Sequence, residues 1–597
     1  MAMPVFAQAA VEDAKAEARA EVQAELDEAL AQVEYWKNYE PYKTTSGKVT
    51  RPMMSGKAVA YGGTATAAVG NYILEKGGNA FDAAIAMAAA QGFAEPTMNS
   101  FWGSDAAIMV YDAKTKEVTF YNGTGWAANY CTPDWYLDNL GSIPSRGVHA
   151  SQIPGEFAGW MLLGQDKASM SLAEIFEPVI ELTRDGLVVN DTNATAFQSA
   201  YKSVMITDYG KSLCLDDNGE VLKFGSIYKN PDYAKTCETL GQVAAQAPTI
   251  SEGFAAANEY FYRGPIAEQI VAVNNREGGL WTLADFNDFH AEKTEPLHTT
   301  FMGYDVWCTA PNCQGNILIE ALNMVECFDL TQFKHNSAEY IDLITQILNL
   351  ALNDRNLYNS DPRFVDFPEE CLTKEYAKYM VENYIHLGTP MAELPKDGLS
   401  KYVDYEAKSH DTTYFAVADR EGNMVSVVHS TLNNFGSGLA IDGLGIILNN
   451  RMSYFSLDPD HANVVAPHKR TMQTITPSVI TKDGEPAMFI GTPGADVQEQ
   501  CKFQVLLNYL VYGFTPQQAV EQPRIVTGMP AGPGKSKDNP FRLQVSSVGT
   551  EVKQALTDMG YTVVNAGNTG SVGLGVYNNG FWMVGVDPQR EAYCMGR

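Results

Sequence analysis

The chain has 597 residues, of which 45% are hydrophobic and 11% are aromatic. This share of apolar side chains is enough for a sizeable core, which excludes a wholly disordered protein. Lys and Arg total 42 against 71 Asp and Glu, so the formal charge is -29. Such a surface repels phosphate backbones, and nucleic acid is therefore not expected as a partner. The apolar stretch 83–94 is too short to cross a bilayer, so no membrane span is predicted.

The first 51 residues are predicted to form an N-terminal extension. Residues 1–10 end in small residues, as secretory signals do, but they lack the basic region of an intact signal. We therefore interpret them as the remnant of a truncated export signal. Residues 11–38 contain no Gly or Pro and place apolar residues at helical spacing, which favours a long surface helix over a partner-binding coiled coil. Residues 41–51 are predicted to be a linker. The expected location is periplasmic or secreted, with the cytoplasm as the alternative.

The region 52–411 has a mostly helical pattern. Two Ala-rich helices are separated by Gly77, Gly78 and Asn79, whose glycines suit the end of a helix. A strand pair over 106–121 is predicted to turn at 113–116. Helices are predicted over 64–75, 80–91, 171–184, 251–275, 315–326 and 337–358.

After residue 411 the pattern changes to short β runs. Two runs with alternating side chains, 412–418 and 424–429, are joined by a polar turn that contains Gly422, which predicts a hairpin. Further strands are predicted at 478–481, 487–490, 562–564, 572–577 and 581–586.

Cysteine and histidine spacings give no sign of a metal site. The nine cysteines are scattered and never form Cys-x-x-Cys, which excludes a dense disulfide framework and permits one or two bridges. The nine histidines show neither His-x-His nor His-Glu-x-x-His spacing. No phosphate-binding loop is present in the sequence. The sequence therefore predicts that neither a metal nor an organic cofactor is needed.

A segment that begins at Asp411 carries the strongest functional signal. Its sequence, Asp-Thr-Thr-Tyr-Phe-Ala-Val-Ala-Asp-Arg-Glu-Gly-Asn-Met-Val-Ser, resembles the segment that opens the small subunit of γ-glutamyltranspeptidases. The resemblance covers nearly everything from about residue 52 to the end. Further motifs follow in the family's order at 74–84, 153–159, 182–188, 261–267, 311–315, 435–438, 466–470 and 491–494.

The resemblance implies an α/β fold, a four-layer αββα sandwich of the N-terminal nucleophile hydrolase type. It also implies self-cleavage between Asp411 and Thr412, which leaves a large subunit of residues 52–411 with its extension and a small subunit of residues 412–597. The two subunits then form one intertwined domain. In this family the first threonine is the nucleophile, and its freed α-amine acts as the base. An α-amine titrates near about 8, so much of it is unprotonated at neutral pH.

Three further residues are implied to help the nucleophile. Ser430 stands where the family places a hydroxyl that supports the threonine, with an ordinary strand serine as the alternative. Gly494 and Ala495 occupy the positions of the family's paired glycines, whose backbone N–H groups form the oxyanion hole. The alternative for these two residues is a turn that only ends a strand.

The substrate pocket departs from the family's pattern. The stretch 121–126, Tyr-Asn-Gly-Thr-Gly-Trp, lacks the arginine that holds the α-carboxylate of a γ-glutamyl group. Tyr454 stands at the position of the family's acidic residue, and Gln473 and Thr474 replace its paired serines. The stretch 450–459 instead resembles the branch of the family that includes oxamate amidohydrolases and cephalosporin acylases.

The predicted reaction is hydrolysis or acyl transfer of a small-molecule amide through an acyl-threonine ester, without a strict γ-glutamyl preference. Arg451 is the candidate to meet an acid group on the substrate, with an arginine paired inside the fold as the alternative. One alternative function is a true γ-glutamyltranspeptidase, or glutathione hydrolase, and another is an uncleaved binding homologue. The predicted substrate-binding residues are Thr413, Asn433, Arg451, Tyr454, Gln473 and Thr474.

Overall fold

The computed structural model describes residues 54–391, 394–395, 412–527, 541–566 and 569–596, together with five helical residues near the start, Lys15, Arg19, Ala20, Val22 and Gln23. The rest of the predicted N-terminal helix, the linker and Asp411 lie outside the described residues. None of the described helices has the length and apolar character that a membrane span requires.

The strands are β1 Met54–Gly56, β2 Val59–Gly62, β3 Asp105–Asp112, β4 Glu117–Gly123, β5 Leu187–Val188, β6 Ile227–Tyr228, β7 Glu292–Thr294, β8 Leu297–Phe301, β9 Tyr304–Cys308, β10 Thr413–Ala418, β11 Met424–Ser430, β12 Ala440–Ile441, β13 Ile446–Ile447, β14 Ser478–Lys482, β15 Glu485–Gly491, β16 Ile525–Thr527, β17 Arg542–Val545, β18 Thr562–Asn565, β19 Gly573–Asn578, β20 Phe581–Val586 and β21 Tyr593–Gly596.

The α-helices are α1 Thr64–Glu75, α2 Ala80–Ala94, α3 Pro133–Leu140, α4 Glu156–Lys167, α5 Leu172–Asp185, α6 Asp191–Ser199, α7 Asp208–Ser212, α8 Pro231–Ala244, α9 Ile250–Tyr262, α10 Pro265–Arg276, α11 Leu283–Asn287, α12 Asn316–Val325, α13 Ala338–Tyr358, α14 Lys374–Tyr384, α15 Val497–Leu510, α16 Pro516–Glu521 and α17 Thr550–Met559. Short 3-10 turns span Val148–Ala150, Leu330–Gln332, Glu369–Leu372 and Arg451–Tyr454, and a π-helical turn spans Ala200–Val204.

Two seven-stranded sheets hold most of the strands. Sheet I has the order β21-β2-β10-β11-β3-β4-β7, and sheet II has the order β1-β20-β19-β15-β14-β9-β8. Neighbouring strands in both sheets are antiparallel. Strand β10, which follows Thr412, lies between β2 and β11 and pairs with both. Both sheets therefore combine strands from before and after residue 412.

Among the described residues, one hydrophobic core lies between the two sheets, and two larger cores bind their outer faces to helices. Along β10, Tyr414 and Ala416 belong to a core that also contains Phe489 of sheet II, so the two sheets face each other. Phe415 and Val417 point the other way, into a core with the helices α2 and α4, as the two-residue period of a strand requires. A third core covers the outer face of sheet II with α12, α13 and α15.

The helix pair α1 and α2 shows why small residues fill this region. Asn79 caps α2, since its side chain accepts hydrogen bonds from the backbone N–H groups of Phe81 and Asp82. Gly77 has φ +94°, which an L side chain rarely adopts. A Cβ on Gly70 of α1 would lie 2.4 Å from the sulfur of Met87, so the two helices approach closely only because this residue is glycine.

The predicted elements are largely confirmed within a few residues, with two corrections. The predicted helix 251–275 is two helices, because Gly264 and Pro265 break it and a proline is well placed only in the first turn of a new helix. The strands β7, β8 and β9 lie in the region that the sequence predicts to be mostly helical. All nine cysteines are described, and each is a free thiol.

Candidate active site

Thr412 and Ser430 are brought together by the hairpin β10–β11. The register pairs Thr413 with His429, which places the residues on either side of that pair next to each other. Thr412 Oγ1 donates a hydrogen bond of 3.3 Å to Ser430 Oγ. The backbone N–H of Leu432 donates to the same oxygen at 2.8 Å. Both hydroxyl residues are buried, and Thr412 keeps 4% of its surface exposed.

Arg590 holds the carbonyl oxygen of Thr412. Its Nη1 donates to Thr412 O at 2.7 Å, and its Nη2 donates to a carboxylate oxygen of Glu95 at 2.9 Å. Arg590 lies between β20 and β21, and Glu95 follows α2 directly. Sequence reasoning missed both residues, because the contact joins positions 178 residues apart and no spacing in the chain signals it.

The turn that carries Gly494 and Ala495 follows β15. Both residues have positive φ, +128° at Gly494 and +52° at Ala495, so the alanine adopts a backbone conformation that few non-glycine residues take. Gly491, the last residue of β15, packs against the ring of Tyr414, and a Cβ there would lie 2.1 Å from that ring. Because Tyr414 follows Thr412 by two residues, the turn and Thr412 lie at the same end of the two facing sheets.

Tyr454 and Thr474 belong to one hydrogen-bond network that reaches the same turn. Their hydroxyl oxygens share a hydrogen bond of 2.9 Å. Gln314 Nε2 donates to the carbonyl oxygens of Thr474 and Ala495, at 3.1 and 3.2 Å. Arg355 Nη1 donates to Gln314 Oε1 at 2.8 Å and so fixes the orientation of this amide. Gln314 and Arg355 were not singled out from the sequence, although Gln314 lies inside the recognised motif 311–315.

Arg451 lies between Ser430, the partner of Thr412, and Tyr454, the partner of Thr474. It is wholly buried, and its Nη2 donates to the carbonyl oxygen of Ser430 at 3.1 Å. The guanidinium carbon lies 5.7 Å from the centre of the Tyr454 ring. Within the described part of the chain, Nε and Nη1 of Arg451 have no hydrogen-bond partner. A buried guanidinium with two such nitrogens is poised to bind an acidic group.

Gln473 is held inside the fold by Asp105. Gln473 Nε2 donates to Asp105 Oδ2 at 2.7 Å, and Gln152 donates to the same carboxylate. Burial raises the pKa of Asp105 to about 6, and the attraction of the nearby Arg451 charge partly opposes that rise. The side-chain amide of Gln473 is therefore oriented by a buried carboxyl group.

The other two predicted substrate-binding residues differ in how they are engaged. Thr413 Oγ1 donates to the carbonyl oxygen of His429 at 3.3 Å, so its hydroxyl serves the hairpin. The backbone N–H of Asn433 donates to Asn450 Oδ1 at 3.1 Å. The side-chain oxygen of Asn433 is buried and has no partner among the residues that the structure describes.

A cleft of about 1120 Å³ opens beside the turn. Its described lining includes Pro493, Gly494 and Arg590, together with residues of α1 and of the C-terminal part of α5. The six predicted substrate-binding residues are absent from its described lining. The cleft therefore reaches the candidate active site from a side that these residues do not occupy.

A sequence model of the family described as Gamma-glutamyltranspeptidase matches residues 66–596. The chain belongs to the γ-glutamyltranspeptidase family. It is similar to the Glutathione hydrolase-like YwrD proenzyme of Bacillus subtilis (strain 168), with 31% identity over 535 residues, which cover 88% of this chain and 96% of that protein. It is also similar to the Glutathione hydrolase proenzyme of Escherichia coli (strain K12), with 30% identity over 486 residues, 79% of this chain and 80% of that protein.

Solved structures in the family support the fold. The crystal structure of cephalosporin acylase from Bacillus halodurans matches with a TM-score of 0.79 at 29% identity and covers 94% of this chain and 99% of that one. The family predicted from the motifs is thus confirmed, and the mixed α/β architecture with antiparallel sheets agrees with this relative. Family members include enzymes named as glutathione hydrolases and as acylases.

Proposed function

We propose that the chain is an amide hydrolase or acyltransferase that activates itself by cleavage before Thr412. The observation that carries this proposal is the hydrogen bond of 3.3 Å between the buried hydroxyls of Thr412 and Ser430, at the start of a central strand. The names of two relatives describe them as proenzymes, which supports processing here as well. The facing sheets with helices on both outer sides support a four-layer αββα sandwich of the N-terminal nucleophile type.

Self-cleavage begins when Thr412 Oγ1 attacks the carbonyl carbon of Asp411. The C–O bond of an ester forms, the C–N peptide bond breaks, and the hydroxyl proton passes to the Thr412 nitrogen. Water then hydrolyses the ester, which leaves a carboxyl group on Asp411 and a free α-amine on Thr412. Arg590 and Ser430, through their hydrogen bonds to Thr412, orient this residue for the attack.

Substrate turnover uses the same hydroxyl. The freed α-amine of Thr412 takes the proton from Oγ1 as the oxygen attacks the amide carbonyl of the substrate. The backbone N–H groups of Gly494 and Ala495 stabilise the resulting oxyanion, and loss of one such donor costs about 3 to 4 kcal/mol. The proton then passes to the leaving amine, and water or an acceptor amine attacks the acyl ester on Thr412.

The pocket favours an acyl group other than γ-glutamyl. Tyr454 and Thr474 bond to each other, and neither carries the charge that would hold a substrate α-amine. A charge-assisted hydrogen bond contributes about 1.5 to 3 kcal/mol, so the missing charges weaken γ-glutamyl recognition appreciably. Arg451 and the side-chain oxygen of Asn433 supply the polar groups for a different acyl chain, one that ends in an acid. Thr413 and Gln473 shape this pocket.

The cleavage test compares the wild-type chain with two neighbouring threonine variants. The freshly made chain should split into residues 1–411 and 412–597 on a denaturing gel, and intact mass should locate the cut. Thr412→Ala should remain one chain. Thr413→Ala is the matched control, because it removes the adjacent hydroxyl, and it should cut itself. A wild-type chain that stays uncut after long incubation contradicts the proposal and favours a non-catalytic binding homologue.

The second candidate function is a true γ-glutamyltranspeptidase, or glutathione hydrolase. The names of two relatives favour it. A γ-glutamyl anilide and short dicarboxylic monoamides separate the two functions, with intact mass reading the acyl adduct on the small subunit. We expect the dicarboxylic amides to leave the adduct. Robust turnover of the γ-glutamyl anilide, with transfer to glycylglycine, would overturn the preference for another acyl group.

A further inference from the structure

The cleft beside Gly494 is lined by carboxylate side chains that have no role in the proposed reaction. Among the described residues, its lining holds four carboxylates, those of Glu95, Glu181, Asp185 and Glu591, and one guanidinium, that of Arg590. Arg590 is already paired with Glu95. The remaining three carboxylates therefore give the described lining a net negative charge.

Two of these carboxylates stand on the last turns of α5. Glu181 and Asp185 are exposed and make no ion pair with any residue that the structure describes. Glu591 accepts hydrogen bonds of 3.0 Å from Thr64 Oγ1 and from Asn190 Nδ2, neither of which carries a charge. No described cation neutralises these three carboxylates, so their negative charge is available to a cationic ligand.

The cleft also has an apolar wall. Leu182, Leu187 and Val188 line it together with Val69 and Tyr72. Val188 is 66% exposed, which leaves a large apolar side chain open at this wall. A ligand with an apolar body would cover this surface and gain from its burial.

The position of the cleft indicates which part of a substrate it receives. Its described lining includes Gly494 and Arg590, and Arg590 holds the carbonyl of Thr412. The residues proposed for the acyl group, including Arg451 and Tyr454, are buried and do not line it. An amide that is attacked by Thr412 has an acyl side and an amine side, so the cleft is left for the amine side.

We propose that this cleft binds the amine portion of the substrate and selects amines with an apolar body and a positive charge away from the reacting nitrogen. The role of the cleft in catalysis rests on the proposed function, whereas binding of the amine does not. Exposed charge pairs are weak one by one, so Glu181 and Asp185 together should favour a cation over a neutral isostere by about 2- to 30-fold. The preference should shrink with added salt, since these carboxylates face solvent.

The test uses three para-substituted anilines on the purified protein. They are 4-(trimethylammonio)aniline, its neutral isostere 4-tert-butylaniline, and the anion 4-aminobenzoate, with dissociation constants measured by NMR titration at low and high salt. We expect the cation to bind most tightly and the anion least. Equal binding of the cation and its neutral isostere would overturn the proposal.

Two double variants assign the effect to the cleft. Glu181→Gln/Asp185→Asn should weaken binding of the cation toward that of the neutral isostere and leave the isostere unchanged. Glu117→Gln/Asp138→Asn is the control, because it removes the same charge from exposed residues outside the cleft lining, and it should bind like wild type. A preference that survives the first variant, or that is lost equally in the control, contradicts the proposal. Binding needs no turnover, so an uncut chain would refute the proposed function and leave this result readable.

Discussion

Ser430→Ala removes an oxygen that accepts two hydrogen bonds, one from Thr412 Oγ1 and one from the backbone N–H of Leu432. The first bond would orient Thr412 for its proposed attack, and a hydrogen bond of this kind contributes about 0.5 to 1.5 kcal/mol, which is about two- to tenfold in rate. The second loss leaves a buried N–H unsatisfied at a residue with φ +87°. We expect that loss to lower the free energy of unfolding by about 1 to 3 kcal/mol.

The assay for Ser430→Ala follows self-cleavage from synthesis in a cell-free translation mixture, with the midpoint of thermal unfolding measured separately. Ser437→Ala is a matched control, because Ser437 is also wholly buried and its Oγ likewise accepts from the N–H two residues ahead, at Leu439. The control should lose stability and cleave at the wild-type rate. The reasoning is refuted if Ser430→Ala cleaves as fast as wild type, or if Ser437→Ala slows cleavage equally.

Two further changes test the surroundings of the site and the core of sheet II. Arg590→Lys replaces a two-pronged guanidinium with a single ammonium that cannot hold both Thr412 O and Glu95, so self-cleavage should slow by about tenfold in the same time course. Arg263→Lys, at an arginine that likewise joins a carbonyl and a carboxylate, should cleave normally, and an Arg590→Lys chain that does so too contradicts the role of this contact. Burial lowers the pKa of His335 to about 4. Its unfolded pKa is about 6.5, so the unfolded chain takes up the proton first on acidification, and about 3 kcal/mol of stability present above that pH is lost toward pH 4. His335→Gln should therefore flatten the fall of the thermal midpoint between pH 7 and 4.5, and a slope equal to that of wild type would count against this assignment.

Local sequence patterns were enough to predict the helices and strands that begin and end at clear turn residues. The alanine-rich helices and the hairpin after Thr412 are bounded by glycines and polar turns, and these set backbone conformation within a few residues. Gly264 and Pro265 give the same kind of signal between α9 and α10. The helical pattern across 251–275 hid this break, so a single helix was predicted there. The strands β8 and β9 have only five residues each, and β8 contains one His and two Thr. In sheet II β9 pairs with β14 and β8 pairs with β9, and this pairing decides their conformation.

The candidate site was predictable only where family motifs mark it. Thr412 and Gly494 lie inside such motifs, and Ser430 stands at a position where the family places a supporting hydroxyl. The structure places all three at one end of the two sheets. The contacts that hold them could not be predicted, because Arg590, Glu95 and Gln314 reach the site through tertiary packing. No local spacing records which carbonyl a distant side chain will meet.

The place of β10 between β2 and β11 bears on what a cut before Thr412 would change. A strand bonded on one side to residues 59–61 and on the other to a hairpin partner, which itself pairs with β3, cannot leave without breaking the sheet. The two fragments would therefore stay together as one particle, even at concentrations so low that two separately folded subunits would come apart. Fragments that are made separately and then mixed would have to fold together, because neither could dock as a finished subunit. Heat should melt the cut protein in one transition.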